Sequence, residues 1–288
     1  MNTIDMPQRS LPDGRTIPAL GLGTWRIGER RAAQAAELAA LREALEIGYR
    51  LFDSAEMYGE GGAKTLLGQA LAAAWRGGLA REQVFVVSKV YPHNAGRGRI
   101  VAACERSRQR LQLDCIDLHL LHWRGSVPLE ETIAGFEELQ RRGWIRHWGV
   151  SNFDLDDMLE LTALPGGAAC SANQVWYSLS RRGAEFDLLP WMQSRNMPLM
   201  AYSPIDQGPL ARHAGLAAIA RSLGVDAAQL ALAALLARAG GVAIPKAVGA
   251  AHLRDNRAAA SLRLDAAQLA QVDELFPPPQ RKQPLAVG

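Results

Sequence analysis

Four residues of this 288-residue chain have the types and spacing to move a proton together. Asp53 ends the apolar run 49–53, and Tyr58 follows five residues later beside Gly59. Lys89 ends the run 83–89, and His122 ends the run 115–122. An acid and a phenol at a strand end suggest general acid–base chemistry. A free tyrosine has a pKa near ~10, too high for easy proton transfer at neutral pH. A neighbouring ammonium favours the phenolate and lowers that value. Lys89 can supply the charge, and Asp53 can pair with Lys89 and hold its direction. His122 can hydrogen-bond a carbonyl oxygen and aim it at Tyr58. The set would donate a proton to an oxygen that is becoming an alkoxide. Reducing a carbonyl needs that, plus a hydride. His119 is three residues from His122, so on a strand it faces the other way. It reads as structural, packed toward helices.

For the four to meet, the runs that carry them must lie side by side. Apolar strand patterns fall at 20–24, 49–53, 83–89, 115–122, 145–152, 170–174, 198–203 and 242–244. Helical patterns fall between and after them, at 31–46, 63–75, 100–113, 129–142, 154–164, 186–195, 215–223, 226–239, 252–260 and 266–276. Gly48 stops the first helix and Asp154 is an N-cap candidate. Asp13-Gly14 predicts a tight turn in an N-terminal β-hairpin. Repeated βα units need parallel strands and right-handed crossovers. Eight of them predict an α/β fold, a (β/α)8 TIM barrel with extra helices near the C-terminus. The competitor, a doubly wound open sheet, usually carries G-x-G-x-x-G after its first strand. Gly21-Leu22-Gly23-Thr24-Trp25-Arg26 lacks the third glycine. No linker interrupts the pattern, so residues 1–288 read as a single barrel domain. Barrel sites form at the C-terminal strand ends. The strands ending in Asp53, Lys89 and His122 are consecutive and would lie about 4.8 Å apart.

Composition narrows the function. Apolar residues make up 48% and can fill a sizeable core. The net charge is +3 with no long basic block, which argues against nucleic-acid binding. Cys104, Cys115 and Cys170 lack C-x-x-C spacing, and six scattered histidines lack metal spacing, so no metal site is expected. No G-x-S-x-G elbow appears. Residues 1–10 are polar, and no run of about 18 apolar residues is free of charge, so neither a leader nor a membrane span is expected. The expected setting is the reducing cytoplasm. A Schiff-base lysine at Lys89 is an alternative, though an adjacent Asp53 raises the pKa that an amine nucleophile needs lowered.

The second half of the chain offers groups for a dinucleotide. Ser151, Asn152 and Gln174 can hydrogen-bond a carboxamide. Tyr202 offers a flat face to a nicotinamide ring. The Gly/Pro-bearing loop with Ser203, Pro204, Ile205, Gln207, Gly208 and Leu210 can wrap a pyrophosphate. Lys246 places a cation where barrels often hold phosphate. His252, Asp255 and Asn256 share a helical face at i, i+3 and i+4.

These segments together resemble the aldo-keto reductase superfamily along nearly the whole chain. The likeness rests on Gly21-Leu22-Gly23-Thr24-Trp25, Phe52-Asp53-Ser54-Ala55-Glu56-Met57-Tyr58-Gly59, Leu66-Leu67-Gly68 and Val87-Ser88-Lys89-Val90. It extends through Leu120-Leu121-His122-Trp123, Gly149-Val150-Ser151-Asn152-Phe153, Asn173-Gln174, Ala201-Tyr202-Ser203-Pro204 and Ile244-Pro245-Lys246. Within the superfamily the chain looks closest to short bacterial members that reduce methylglyoxal and related aldehydes. The stretch from Ser88-Lys89-Val90-Tyr91 to Gly96 and the tail Pro277-Pro278-Pro279 carry that part.

The resemblance implies a barrel that binds NADPH (NADP+) in preference to NADH, at the residues above together with Gly23, Thr24 and Trp25. It implies reduction of small aldehydes and ketones, methylglyoxal-like and aromatic, with Tyr58 as acid and Asp53, Lys89 and His122 in support. Ala247 stands where the family often has Ser or Thr, and His252 where it often has Arg. The short tail implies an open, unselective pocket lined by candidates Trp25, Met57, Tyr91, Trp123 and Trp148. The expected partner is a small carbonyl substrate, with no nucleic acid and no membrane, on a monomer or weak homo-oligomer. A cofactor-binding redox sensor or accessory subunit on the same barrel, with little turnover, is the alternative.

Overall fold

The structure, a computed structural model, describes residues 6–238 and 241–288. Part of the polar N-terminal run, 1–5, and the predicted helix end at Ala239 lie outside them. The chain begins with the expected hairpin. Strands β1 (Gln8–Ser10) and β2 (Thr16–Pro18) pair antiparallel. Asp13 accepts a hydrogen bond from the Arg15 amide at 3.0 Å, and Gly14 supplies the positive φ the turn needs.

Strand and helix then alternate. The first half holds β3 (Leu22–Gly23), α1 (Gln34–Glu46), β4 (Leu51–Asp53), α2 (Gly62–Arg76), β5 (Phe85–Val90), α3 (Arg97–Leu111), β6 (Ile116–Leu121) and α4 (Leu129–Arg141). The second half holds β7 (Ile145–Ser151), α5 (Leu155–Ala163), β8 (Asn173–Trp176), α6 (Leu188–Gln193), β9 (Leu199–Tyr202), α7 (Ala214–Ser222), α8 (Ala227–Ala237), β10 (Gly241–Ala243), α9 (Ala250–Ala259) and α10 (Ala266–Leu275). Strands β3 to β10 form one parallel sheet in sequence order. Its two ends meet: Leu20 bridges Ala243, the Gly21 amide donates to Ala243 O at 2.8 Å, and the Gly23 amide to Pro245 O at 3.0 Å. The sheet thus closes as the predicted (β/α)8 barrel, with paired helices after β9 and after β10. Among the described residues no single helix is long and apolar enough to cross a membrane.

Most predicted elements shift by a residue or two. Three starts shift by three residues: α1 from 31 to Gln34, α3 from 100 to Arg97, and β8 from 170 to Asn173, after a 3-10 turn at Gly167–Ala169. Asp154 caps α5 by accepting from the Asp157 amide at 2.9 Å.

Period-two alternation sorts the strand side chains into two cores. Leu51, Phe85, Val87, Leu118, Leu120 and Met200 fill the barrel interior. Phe52, Val86, Val90, Leu121 and Trp148 face the helices. Each fully buried side chain of this size is worth about 1.5–3 kcal/mol of transfer free energy. Trp148 lies flat on Phe136 of α4 with ring centroids 5.2 Å apart. It is therefore not a pocket residue, as the aromatic pattern suggested, but part of the strand–helix layer.

Backbone sterics fix one crossing beside the site. Gly28 has φ +78°, and a Cβ on it would lie 2.4 Å from the carbonyl carbon of Gly62. A Cβ on Gly62 would lie 2.6 Å from the Gly28 oxygen. The loop after β3 can cross the start of α2 only because both residues lack a side chain.

His119 is fully buried on the helix-facing side, as its spacing predicts, with its ring 6.0 Å from that of Phe136. Burial, with help from Lys64, pushes its pKa down to about 3. The unfolded value is about 6.5, so the unfolded chain binds the extra proton between those limits. Stability from keeping His119 neutral is present above about pH 6.5 and is lost as pH falls toward about 3. Urea unfolding of His119→Phe should show a flatter stability decline between pH 7 and pH 5 than the wild type, by up to ~1.4 kcal/mol per pH unit. Parallel pH profiles would show that His119 takes up no proton on unfolding.

Candidate active site

The interior alternation ends in polar groups at the C-terminal mouth. On β4, Leu51 is followed two residues later by Asp53; on β5, Phe85 and Val87 by Lys89; on β6, Leu118 and Leu120 by His122. β8 adds Gln174 and β9 adds Tyr202 to the same cavity. Lys89 is one residue short of its strand end, and His122 lies one beyond.

The four candidates meet. Lys89 Nζ lies 2.6 Å from Asp53 Oδ2 and donates to Tyr58 Oη at 3.1 Å. Gln174 Nε2 donates to the other carboxylate oxygen, Oδ1, at 2.8 Å. The Tyr58 and His122 rings meet edge to face at 5.8 Å. Lys89 and Asp53 are essentially sealed from solvent, while Tyr58 and His122 keep narrow access at 9% and 8%. The Thr24 hydroxyl donates to Asp53 O at 2.9 Å, so Thr24 positions the strand end rather than lining the cavity.

Electrostatics gives each group a definite protonation state. Burial opposes the Lys89 charge, but Asp53 and Tyr58 outweigh it and raise its pKa. Burial raises the Tyr58 pKa, and its effect exceeds the lowering by Lys89. The expected depression of the phenol is thus reversed: Tyr58 holds its proton at neutral pH. Burial, then Lys89 and Lys64, lower the His122 pKa far below its ordinary value, so the imidazole is neutral.

The loop that carries Tyr58 is tied down from behind. Glu56 accepts from the Tyr91 amide at 3.0 Å, from Asn94 Nδ2 at 2.9 Å and from Arg106 at 3.1 Å. Burial works against its charge, but these bonds hold its carboxyl below the ordinary range.

A cavity of about 540 Å³ opens over Asp53, Tyr58 and His122, with Lys89 sealed beneath them. Trp25, Met57 and Trp123 line it beside Tyr58 and His122, as the sequence predicts. Tyr91 does not; its hydroxyl donates to Glu60 at 2.8 Å and its ring stacks on His93 at 4.8 Å. Gly23, Ser151, Asn152, Gln174 and Tyr202 form the floor. Asn152 donates to His122 O at 3.0 Å and accepts from Tyr202 Oη at 2.8 Å, while Ser151 Oγ donates to Gln174 O at 2.8 Å. Ser203, Pro204, Ile205, Gln207, Gly208 and Lys246 also line it.

Other candidates stay outside this cavity. Leu210 is buried against Leu216 and Leu230 in the α7–α8–α10 layer. His252 is exposed on α9, Asp255 half-buried and Asn256 buried, and none lines the cavity. Four lining residues, Arg26, Ile244, Pro245 and Gly288, were not among the site candidates from sequence. Arg26 adjoins the matching Trp25 and could have been found there. Gly288 arrives because Lys282 pairs with Asp156 at 2.8 Å and Leu285 packs on the core, turning the tail back over the mouth. Among the described residues no group of three or more His, Cys, Asp or Glu gathers as a metal site.

With this geometry in view, the likeness to known proteins can be placed. The Aldo/keto reductase family profile matches residues 19–276, so the chain belongs to that family. It is 48% identical to methylglyoxal reductase YeaE of Escherichia coli, over 93% of this chain and 94% of that one. It is 28% identical to methylglyoxal reductase DkgB of Salmonella typhimurium, over 87% of this chain and 90% of that one. The crystal structure of an aldo-keto reductase from Klebsiella pneumoniae in complex with NADPH superposes with a TM-score of 0.93 at 43% identity, covering 99% and 100% of the two chains.

Removing one member of the buried pair strands the other charge. Lys89→Met should lower unfolding stability by about 3–5 kcal/mol in urea titration, and adding Asp53→Leu should restore part of it. A single-variant loss below ~1 kcal/mol would mean water reaches the orphaned carboxylate.

Proposed function

We propose that this chain is an NADPH-dependent reductase of small aldehydes and ketones, acting as a single barrel domain, with Tyr58 as the proton donor. The observation that carries the reading is the contact of Lys89 with both Asp53 and Tyr58, beside His122, at a cavity of about 540 Å³. The names of the two relatives support methylglyoxal-like substrates, and the Klebsiella complex supports the cofactor. The residues present suit that group. Tyr202, Ser203, Pro204, Ile205, Gln207 and Gly208 line the cavity, and so does Lys246, which has no carboxylate partner among the described residues.

When bound, NADPH supplies a hydride. The protein's part is proton delivery and orientation. His122, neutral, hydrogen-bonds the substrate carbonyl oxygen and holds it over Tyr58. As negative charge builds on that oxygen, Tyr58 Oη gives up its proton. Lys89 stabilises the phenolate left behind, and Asp53 keeps Lys89 charged and aimed. Met57, Trp25 and Trp123 exclude water and offer apolar contact, which suits aromatic aldehydes as well. A Schiff-base role for Lys89 is disfavoured because Asp53 keeps the amine protonated.

NADPH oxidation measured with methylglyoxal and an aromatic aldehyde tests the reading. Tyr58→Phe should lower kcat by about 10²–10⁴-fold with its fold intact. Wild-type turnover retained in Tyr58→Phe removes Tyr58 as the donor, and no wild-type turnover points to a cofactor-binding sensor. Lys246→Ala should weaken NADPH about ten-fold more than NADH if it meets the extra phosphate. Equal losses would assign it to a group shared by both cofactors.

A further inference from the structure

The segment after β6 carries Trp123 between two anchored residues. On one side, the His122 amide donates to Val90 O at 3.1 Å, and His122 O accepts from Asn152 at 3.0 Å. On the other, Arg124 reaches across to α5. Its two terminal nitrogens each meet one oxygen of Glu160 at 2.7 Å, and Nη1 also donates to Asp157 Oδ1 at 2.9 Å. Asp157 and Glu160 are three residues apart and share a face of that helix. The second Asp157 oxygen accepts the Asp154 amide at 3.2 Å, so the clamp grips the capping box that starts α5. One residue on, Gly125 lies against the β5–α3 loop, where a Cβ on it would stand 2.5 Å from Pro92 Cβ. Of the exposed large apolar side chains among the described residues, Trp123 alone lines the active-site cavity. Its ring is 4.8 Å from that of His122 and meets Tyr91 edge to face at 6.0 Å. At 37% exposure its own packing is incomplete, so its place depends on the backbone on either side.

We infer that Arg124 is a positioning residue that sets substrate specificity, clamping the 122–125 segment to α5 so that Trp123 stands as a fixed wall for the aromatic substituent of a carbonyl substrate. The inference rests on the reductase reading above. A carbonyl oxygen bonded to His122 brings its substituents beside the ring that His122 touches, which is Trp123. A planar aryl group gains from stacked or edge contact with an indole held at contact distance. Methylglyoxal has little surface to place there. An exposed ion pair ordinarily contributes little, but a bidentate arginine shared by two carboxylates is the exception. A lysine has one compact charge and cannot match both oxygens of Glu160 in the same way. Arg124 does not itself line the cavity, so its effect passes through Trp123.

The test compares an aromatic aldehyde with methylglyoxal at one NADPH concentration, so that the ratio of the two kcat/KM values cancels any effect on the cofactor. Arg124→Ala should raise KM for the aromatic aldehyde about five-fold with kcat nearly unchanged, and should leave methylglyoxal within about two-fold. Glu160→Gln should reproduce part of that loss, and Arg124→Lys should recover part of it. In a Trp123→Ala background, Arg124→Ala should leave the ratio where Trp123→Ala alone put it. Trp123 emission, taken as the difference from Trp123→Phe, should shift to the red in Arg124→Ala. A merely structural role would lower the melting temperature and move neither the ratio nor the emission. Equal losses for both substrates, no change for either, or a full Arg124→Ala effect in the absence of Trp123 overturns the assignment. Wild type that turns over methylglyoxal but no aromatic aldehyde also overturns it and leaves the reductase reading standing. Wild type that turns over neither removes that reading and this inference with it.

Discussion

The ion pair between Lys89 and Asp53 constrains everything around it. Two charges sealed from water lose several kcal/mol each in hydration, and their attraction offsets this only when every remaining donor and acceptor is satisfied. Here Gln174 donates to the second carboxylate oxygen, and Tyr58 Oη accepts a hydrogen bond from the ammonium. Asp53, Lys89 and Gln174 stand on β4, β5 and β8, so the pair ties together strands that are not all neighbours. A register slip of one residue on any of them would turn its polar end to the helices and leave a bare charge. The same arrangement that makes the pair tolerable makes the mouth of the barrel rigid.

The tyrosine depends on a second set of bonds. Its phenol is placed from the front by Lys89 and from behind by Glu56, which gathers the Tyr91 amide, Asn94 and Arg106. The β4–α2 loop is thus fastened to the β5–α3 loop and to α3. Burial then does what the ammonium alone would not: it keeps the phenol protonated until a substrate oxygen demands the proton.

Much of this was legible in the sequence, for a physical reason. Asp53, Lys89 and His122 each interrupt an apolar run at its end, and strand parity puts them inside together with Leu51, Val87 and Leu120. His119 was separable from His122 by the same parity. Other features depend on quantities that spacing does not carry. The direction of the Tyr58 shift is a contest between burial and charge, and only packing decides it. Trp148 shares its residue type with Trp25 and Trp123 but not their side of the sheet. The i, i+3, i+4 spacing of His252, Asp255 and Asn256 names a helix face without saying what the face meets. Leu210 belongs to a loop that lines the cavity, yet its own side chain turns into the α7–α8–α10 layer. Gly288 returns to the mouth through long-range pairing of the tail, which no local pattern announces.

The crossing of Gly28 and Gly62 has a mechanical consequence. The loop after β3 bears Trp25, Arg26 and Arg30, and the start of α2 lies just beyond Tyr58. At backbone contact, with no side chain to compress, neither segment can swing without carrying the other. A ligand entering the cavity therefore meets, on this side, two segments that can yield only together.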